Sequence, residues 1–293
     1  MNVLSNIKFI LNHPLNRNHK AKAFFRFVKW QVNTKLNPHP IIYPFTQKAK
    51  LIVQKGMTGA TGNLYCGLHD YEDMGFLLHF LRKEDCFVDI GANIGSYTIL
   101  ASAHVGAKTI SIEPAPVTFS HLMRNISLNQ IQDKVVAHNI AVGSAKGNIN
   151  FTTSLDTLNH AVQNEEPGTA KVAIETLDEI LKDGLIPSLL KIDVEGFETE
   201  VIKGASNILQ QNGLKAIIIE LNGSGKSYGY EENKIHESLI NLNFQAFTYD
   251  PQTRKLSSVD SFGKYNTIYI RDFVFVQQRL ETAQKFKILN QEF

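Results

Sequence analysis

The chain has 293 residues, 43% apolar and 20% charged, which describes a globular protein long enough to bury a sizeable core in one large domain, or in one domain plus an extension. Its apolar runs, such as 216–219, fall far short of the roughly 18 residues of a membrane span, and Asn6, Lys8, Asn12 and His13 interrupt the apolar core of a secretory signal. With only Cys66 and Cys86, and no Cys/His pair at ligand spacing, a disulfide framework and a structural zinc site are both disfavoured, and a reducing cytoplasm is the expected compartment.

Net charge is +2, but residues 1–69 contain ten Lys/Arg and no Asp or Glu, against 20 Lys/Arg and 28 Asp/Glu in the rest. The sequence is a basic arm on an acidic body. Domain limits of 1–55 for a basic helical extension and 56–293 for the main domain follow. Within the arm Ala21, Phe24, Phe25, Val28 and Val32 recur at helical spacing beside a stripe of Lys22, Arg26 and Lys29. Such a helix can meet an anionic lipid, a charged glycan or nucleic acid, or its aromatic stripe can pack on the adjoining domain. The packed arrangement is the expectation, because a few cationic residues on one helix are common.

Residues 37–45, with Pro38, Pro40 and Pro44, read as a connector, and 56–62 as a turn-prone segment. A helix is predicted over 71–81, capped by Asp70. Strand patterns at 87–90, 109–112, 135–140, 189–192 and 216–221 then alternate with helical ones, which predicts an α/β fold: a Rossmann-like, mostly parallel sheet covered on both faces. Residues 148–152 look like the start of a hairpin or insertion. Strands at 267–270 and 273–276 are expected to finish the sheet with an antiparallel C-terminal edge.

In such sheets ligands bind beyond the carboxyl ends of the strands. The first strand ends in Asp89, Gly91, Ala92, Asn93 and Gly95, with Asn93 and Ser96 where a dinucleotide fingerprint requires glycine. That disfavours pyrophosphate. It suits S-adenosylmethionine, whose ammonium can be met at this turn directly or through Asp89, with Gly91 and Gly95 letting the backbone come close. Glu113, followed by Pro114, stands 24 residues after Asp89 and is placed to accept hydrogen bonds from both ribose hydroxyls. Replacing it by Ala should weaken cofactor binding with little loss of stability. Ala141 and Val142 are expected beside an adenine, and Asn139 either there or in a structural role. The fourth strand delivers Lys191, Asp193 and Glu195; the two acids can stabilise a sulfonium, and one can accept a proton from an attacking hydroxyl.

These blocks, Phe87 to Thr98, Glu113-Pro114, Ala141-Val142-Gly143, Thr176-Leu177-Asp178 and Lys191-Ile192-Asp193-Val194-Glu195-Gly196, resemble the FkbM family of S-adenosylmethionine-dependent methyltransferases over about two thirds of the chain. The resemblance implies a class I methyltransferase fold and O-methylation of a small-molecule or carbohydrate hydroxyl. It places Asp89, Gly91, Gly95 and Glu113 at the cofactor. It leaves the acceptor open and says nothing of residues before 56.

His160, with Asp156 and Asn159 nearby, is a further candidate base, and Asp193, Glu195 or His160 is expected to handle the proton. Glu220, Asn222, Tyr228 and Tyr230 are candidate acceptor contacts. Asp193, Glu195 and Glu220 have oxygens that suit magnesium or calcium, but they are explained without a metal and none is assigned. Two alternatives stand beside the enzyme: an adaptor that docks through the basic arm, and a nucleic-acid methyltransferase. The latter is disfavoured, because the fourth strand lacks an Asn/Asp-Pro-Pro-aromatic signature and the acidic body repels phosphate.

Overall fold

The computed structural model describes residues 3–37, 39–152, 160–162, 168–289 and 291–293. The chain opens with helices α1 (Val3–Asn12) and α2 (Lys20–Leu36), a hairpin of β1 (Ile41–Pro44) and β2 (Lys50–Val53), and helices α3 (Thr58–Cys66) and α4 (Tyr71–Phe80). The repeating units are β3 (Cys86–Ile90), α5 (Ser96–Ile99, extended by wider π turns to Val105), β4 (Lys108–Ile112), α6 (Pro116–Leu128) and β5 (Val135–His138). Next come β6 (Ala141–Val142), β7 (Gly147–Thr152), β8 (Ala161–Val162), β9 (Thr169–Glu175) and α7 (Leu177–Ile180). Then follow β10 (Leu189–Ile192), α8 (Glu198–Lys203), β11 (Ala216–Glu220), α9 (Glu232–Asn241), β12 (Gln245–Asp250), β13 (Lys255–Ser258) and β14 (Asn266–Ile270). Helix α10 (Phe273–Glu281) and a short β15 (Lys287–Ile288)/β16 (Gln291–Glu292) hairpin end the chain.

The main sheet has eight strands in the order β13-β12-β14-β11-β10-β3-β4-β5. Five adjacent strands, β11 to β5, are parallel, and beyond them β14 pairs antiparallel with β11, β12 with β14 and β13 with β12. This is the Rossmann-like, mostly parallel sheet with the expected antiparallel C-terminal edge. A separate four-stranded sheet, β6-β9-β7-β8, occupies the insertion.

Strand periodicity divides the core into two. Phe87, Leu189, Ala216, Ile218 and Ile268 face one cluster with Phe76, Phe80 and Tyr97. Val88, Ile90, Leu190, Ile192, Ile217 and Ile219 face the other with Val201 and Leu239. Both faces are covered, which is why 216–219 reads as a continuous apolar run. Leu15, Trp30, Phe45, Leu51 and Val53 join the first cluster.

Four local expectations change. The connector holds β1, whose partner β2 is held to α6 by Asn129, which both donates to Lys50 O and accepts from its N–H at 2.8 Å, and by Asn125 accepting from Ile52 N–H at 2.8 Å. Amide side chains on a helix thereby satisfy an edge strand that the three prolines obscured. Residues 58–66 are helical because tertiary packing buries Ala60, Leu64 and Cys66 despite the weak helix formers Gly59 and Gly62. Asp70 precedes α4 but makes no cap hydrogen bond; its carboxylate accepts from Tyr97 Oη at 3.0 Å. Residues 273–276 start α10, with Asp272 accepting from Phe275 N–H at 3.2 Å; the N-cap outweighs a β-rich tetrapeptide.

Candidate active site

The chain passes from β3 to β4 and β5 on one side, then returns to lay β10 against the other flank of β3. Connections leave β3 and β10 in opposite directions, so a crevice opens at their carboxyl ends. A cleft of about 260 Å³ lies there, lined by Asp89, Gly91, Ala92, Asn93, Glu113, Pro114, Ala141, Val142, Asp193 and Glu195 among others. Gly95 and His160 are not among its lining residues. Asp156 and Asn159 lie outside the described residues.

Register sets the floor. Lys191 on β10 is the lateral neighbour of Asp89 on β3, which is the neighbour of Ser111 on β4. All three side chains emerge on the face covered by α4 and α5. Asp89 is 1% exposed; its Oδ2 accepts from Thr98 N–H at 3.1 Å and Thr98 Oγ1 at 2.7 Å. Its Oδ1 is buried without a hydrogen-bond partner. Burial pushes this carboxyl upward, while Lys191 and the Thr98 donors pull it back.

The two glycines are also required by the packing of the chain on itself. At Gly91, with φ +78°, a Cβ would lie 1.8 Å from the Asp193 carbonyl oxygen. At Gly95, with φ +92°, it would lie 2.5 Å from Leu122 Cδ1. Their small size lets the chain pack on itself at two crossings, and only Gly91 also borders the cleft.

Glu113 is pinned at both oxygens: Oε2 accepts from Asn93 N–H and Oε1 from Ala115 N–H, each at 2.9 Å. Each oxygen keeps lone-pair capacity toward the cleft. Burial pushes the carboxyl up to about 7. Because it anchors two backbone donors, its removal costs stability as well, about 1–3 kcal/mol per stranded buried donor, which corrects the expectation of little loss. Asn139 has a structural role, donating to the carbonyls of Glu113 and Pro114 at 2.8 and 3.0 Å.

Beyond β10, Lys191 Nζ is 4.7 Å above the Tyr97 ring and 2.8 Å from Asp193 Oδ2. Burial alone would depress this lysine, but Asp193 and Asp89 outweigh it and hold the ammonium charged. Carboxylate oxygens of Asp193, Glu195 and Glu220 lie within 4.8 Å of one another. Crowding shows in their protonation: burial, then Asp193, pushes Glu195 up to about 7, and Glu220 rises further for the same causes. Glu195 sits at φ +53°, a left-handed position held by its neighbours. Glu198 Oε1 accepts from Val194 and Gly196 N–H at 3.1 and 3.2 Å, so Glu198, rather than Glu195, ties the loop to the start of α8. A Cβ on Gly196 would meet the Ser224 backbone at 2.8 Å.

The opposite wall is apolar: Ile140, Ala141 and Val142 join Ile149, Phe151 and Ala161 of the small sheet. Tyr228 donates to Ala161 O at 2.8 Å and packs edge-on to Phe197, bracing that wall from outside the cleft. Tyr97, Asp70, Asn63 and Met74 also line the cleft and were not among the predicted site residues. No periodicity marks them, since α3 and α4 reach the cleft only by folding over α5.

Replacing Lys191 by Met tests this charge arrangement. The expected loss is about 2–3 kcal/mol, below the roughly 3–5 kcal/mol of a fully buried pair because Asp193 keeps 32% exposure. Urea unfolding measures it.

The profile of the Methyltransferase FkbM domain matches residues 89–251, more than half of the chain. The protein belongs to this family. Hexuronic acid methyltransferase AglP of Haloferax volcanii is 30% identical over 147 residues, covering 50% of this chain and 59% of that protein. Methyltransferase sdnD of Sordaria araneosa is 31% identical over 159 residues, 42% of this chain and 61% of that one. The chain thus spans about three fifths of the length of these relatives. A crystal structure of methyltransferase FkbM from Methylobacillus flagellatus aligns over 72% of this chain and 52% of its own, with TM-score 0.46 and 16% identity.

Proposed function

We propose that this FkbM-family chain is an O-methyltransferase that binds S-adenosylmethionine in the cleft and acts on a hydroxyl of a small-molecule or carbohydrate acceptor. The observation that carries the reading is the pair of buried acids at the ends of adjacent parallel strands: Asp89 with Oδ1 unpartnered, and Glu113 fixed by two backbone donors. A buried oxygen with no donor of its own suits a ligand ammonium or hydroxyl, and Glu113 suits a vicinal diol. Ala141, Val142 and Phe151 offer an apolar surface to a purine. Bound there, S-adenosylmethionine supplies a methyl group already activated as a sulfonium.

The protein's own part is then alignment and proton removal. Glu195, pushed up to about 7, is the base: about half ionised at neutral pH, its carboxylate would accept the acceptor hydroxyl's proton when the methyl leaves the sulfonium, freed as a neutral thioether, for that oxygen. Lys191 keeps Asp193 paired, and Glu220 retains its proton and can donate to an acceptor oxygen. The buried free thiols of Cys66 and Cys86 accord with a reducing cytoplasm. No described helix is long and apolar enough to cross a membrane.

Titration calorimetry with S-adenosylhomocysteine tests the cofactor assignment. Saturable binding is expected, with Glu113→Ala weakening it by about 10–100-fold, the worth of one or two charged hydrogen bonds. Unchanged affinity in that variant would remove Glu113 from the site. Labelled S-adenosylmethionine offered with neutral glycans, uronate glycans and RNA identifies the acceptor class; label in RNA alone would overturn the reading.

A further inference from the structure

The aromatic stripe of α2 does not pack on the domain, contrary to expectation. At about 3.6 residues per turn, Ala23, Arg26, Phe27 and Trp30 share one face, and the structure turns that face inward. Ala23 and Trp30 are buried, Arg26 donates to Asn16 and to Tyr65 O, and Phe27 packs on Tyr65. The opposite face presents Phe24, Phe25, Val28, Val32 and Leu36, exposed by 44%, 72%, 37%, 49% and 81%. Lys20, Lys22 and Lys29 flank this stripe, and Lys35 stands within it in the last turn, all exposed. Single exposed apolar residues are ordinary, but five on one helical face rimmed by lysines form a surface that needs an occupant.

We infer that α2 is an interfacial anchor that lies flat on an anionic lipid bilayer, with Phe24, Phe25, Val28, Val32 and Leu36 at the acyl boundary, Lys20, Lys22 and Lys29 among the headgroups, and Lys35 extending to them from the helix end. Charge selects this occupant. Residues 1–69 contain no acid, so a second copy meeting this face would bring two sets of lysines together without counter-charge. A nucleic acid would satisfy the lysines but leave the apolar stripe in water. An anionic bilayer satisfies both, as amphipathic interfacial helices do. The inference is independent of the chemistry in the cleft, yet it bears on it. Tyr65, against which α2 packs, belongs to α3, whose Thr58, Gly59 and Asn63 line the cleft, so one helix separates the docked surface from the site.

Vesicle flotation of the full chain tests the anchor, using phosphatidylcholine alone or mixed with phosphatidylglycerol. At low salt, binding to the mixed vesicles is expected to be at least about tenfold tighter than to the neutral ones, given roughly fivefold per lysine near an anionic surface. The double variant Phe25→Glu/Val32→Glu should lose about tenfold or more, and Lys22→Glu/Lys29→Glu should erase the preference for phosphatidylglycerol. Melting temperatures close to that of the parent chain would show that these exposed positions leave the fold intact. Failure of the parent chain to float with phosphatidylglycerol overturns the inference. So does undiminished binding of the Phe25/Val32 variant, or a dimer in light scattering that this variant dissociates.

Discussion

Replacing Glu195 by Gln is expected to lower kcat by about 10²–10⁴-fold, the usual contribution of a positioned general base, and to remove a pH dependence centred near 7. The sign follows from the causes of its shift. Burial, then Asp193 and Glu198, disfavour the ionised form and push the carboxyl up to about 7, against the opposing pull of Lys191. The base works only when ionised, so kcat of the parent enzyme falls about tenfold per unit as pH drops below that value. Removing Lys191 withdraws the opposing pull, so Lys191→Met should move the midpoint upward. Two features make Glu195 a better base than its neighbours: Asp193 already shares its charge with Lys191 at 2.8 Å, and Glu220 is held protonated. Rates measured from pH 5 to 9 with labelled cofactor decide the matter. A Glu195→Gln enzyme that keeps the parent's pH profile would exclude Glu195 as the base.

Gly91→Ala is expected to cost about 3–5 kcal/mol of stability, combining left-handed strain of roughly 1–3 kcal/mol with overpacking of similar size. The new methyl would stand 1.8 Å from the Asp193 carbonyl oxygen, and at a crossing of two backbones there is no flexible side chain to yield. Both neighbours are fixed. Gly91 and Ala92 N–H donate to Ile112 O at 2.9 and 3.0 Å, and Asp193 N–H donates to Ile90 O at 3.1 Å. Either strand end must therefore move, and each carries a site acid, Asp89 or Asp193. Cofactor affinity should fall together with stability. Gly184→Ala is the control: φ is similar at +84°, but nothing lies within 4 Å of the new methyl, so only about 1 kcal/mol is expected. Chemical denaturation of both variants measures the contrast, and equal losses would reduce the Gly91 effect to backbone strain alone.

Much of this protein is local in character and was legible in its residues. The tetrapeptides at 87–90, 109–112 and 189–192 are strands because a parallel sheet covered on both faces buries both sides of each strand, and Asp89, Ser111 and Lys191 are polar residues that interrupt them. The acids that end them, Asp89, Glu113, Asp193 and Glu195, line the cleft because a doubly wound sheet gathers its strand ends at one edge. Short, ambiguous segments were misjudged where a partner distant in sequence decides: β1 and β2 are held by Asn125 and Asn129 some 70 to 80 residues away, and 273–276 became helical through its cap and packing. The same limit applied within the site. Sequence spacing showed that Lys191 and Asp193 share a side, but the register that sets Lys191 beside Asp89, and the approach of Glu220 to Asp193, exist only once β3, β10 and β11 are adjacent. Spacing could also draw the amphipathic stripe of α2 without saying which way it faced. That choice was made by Ala23 and Trp30, because a helix with two apolar faces buries the one whose shape fits the domain and leaves the other outside. Residue types along the chain thus established the elements and the chemistry available to them. Pairing between distant strands and helices determined which charges meet, since Coulomb energy and desolvation depend on distances in space, not in sequence.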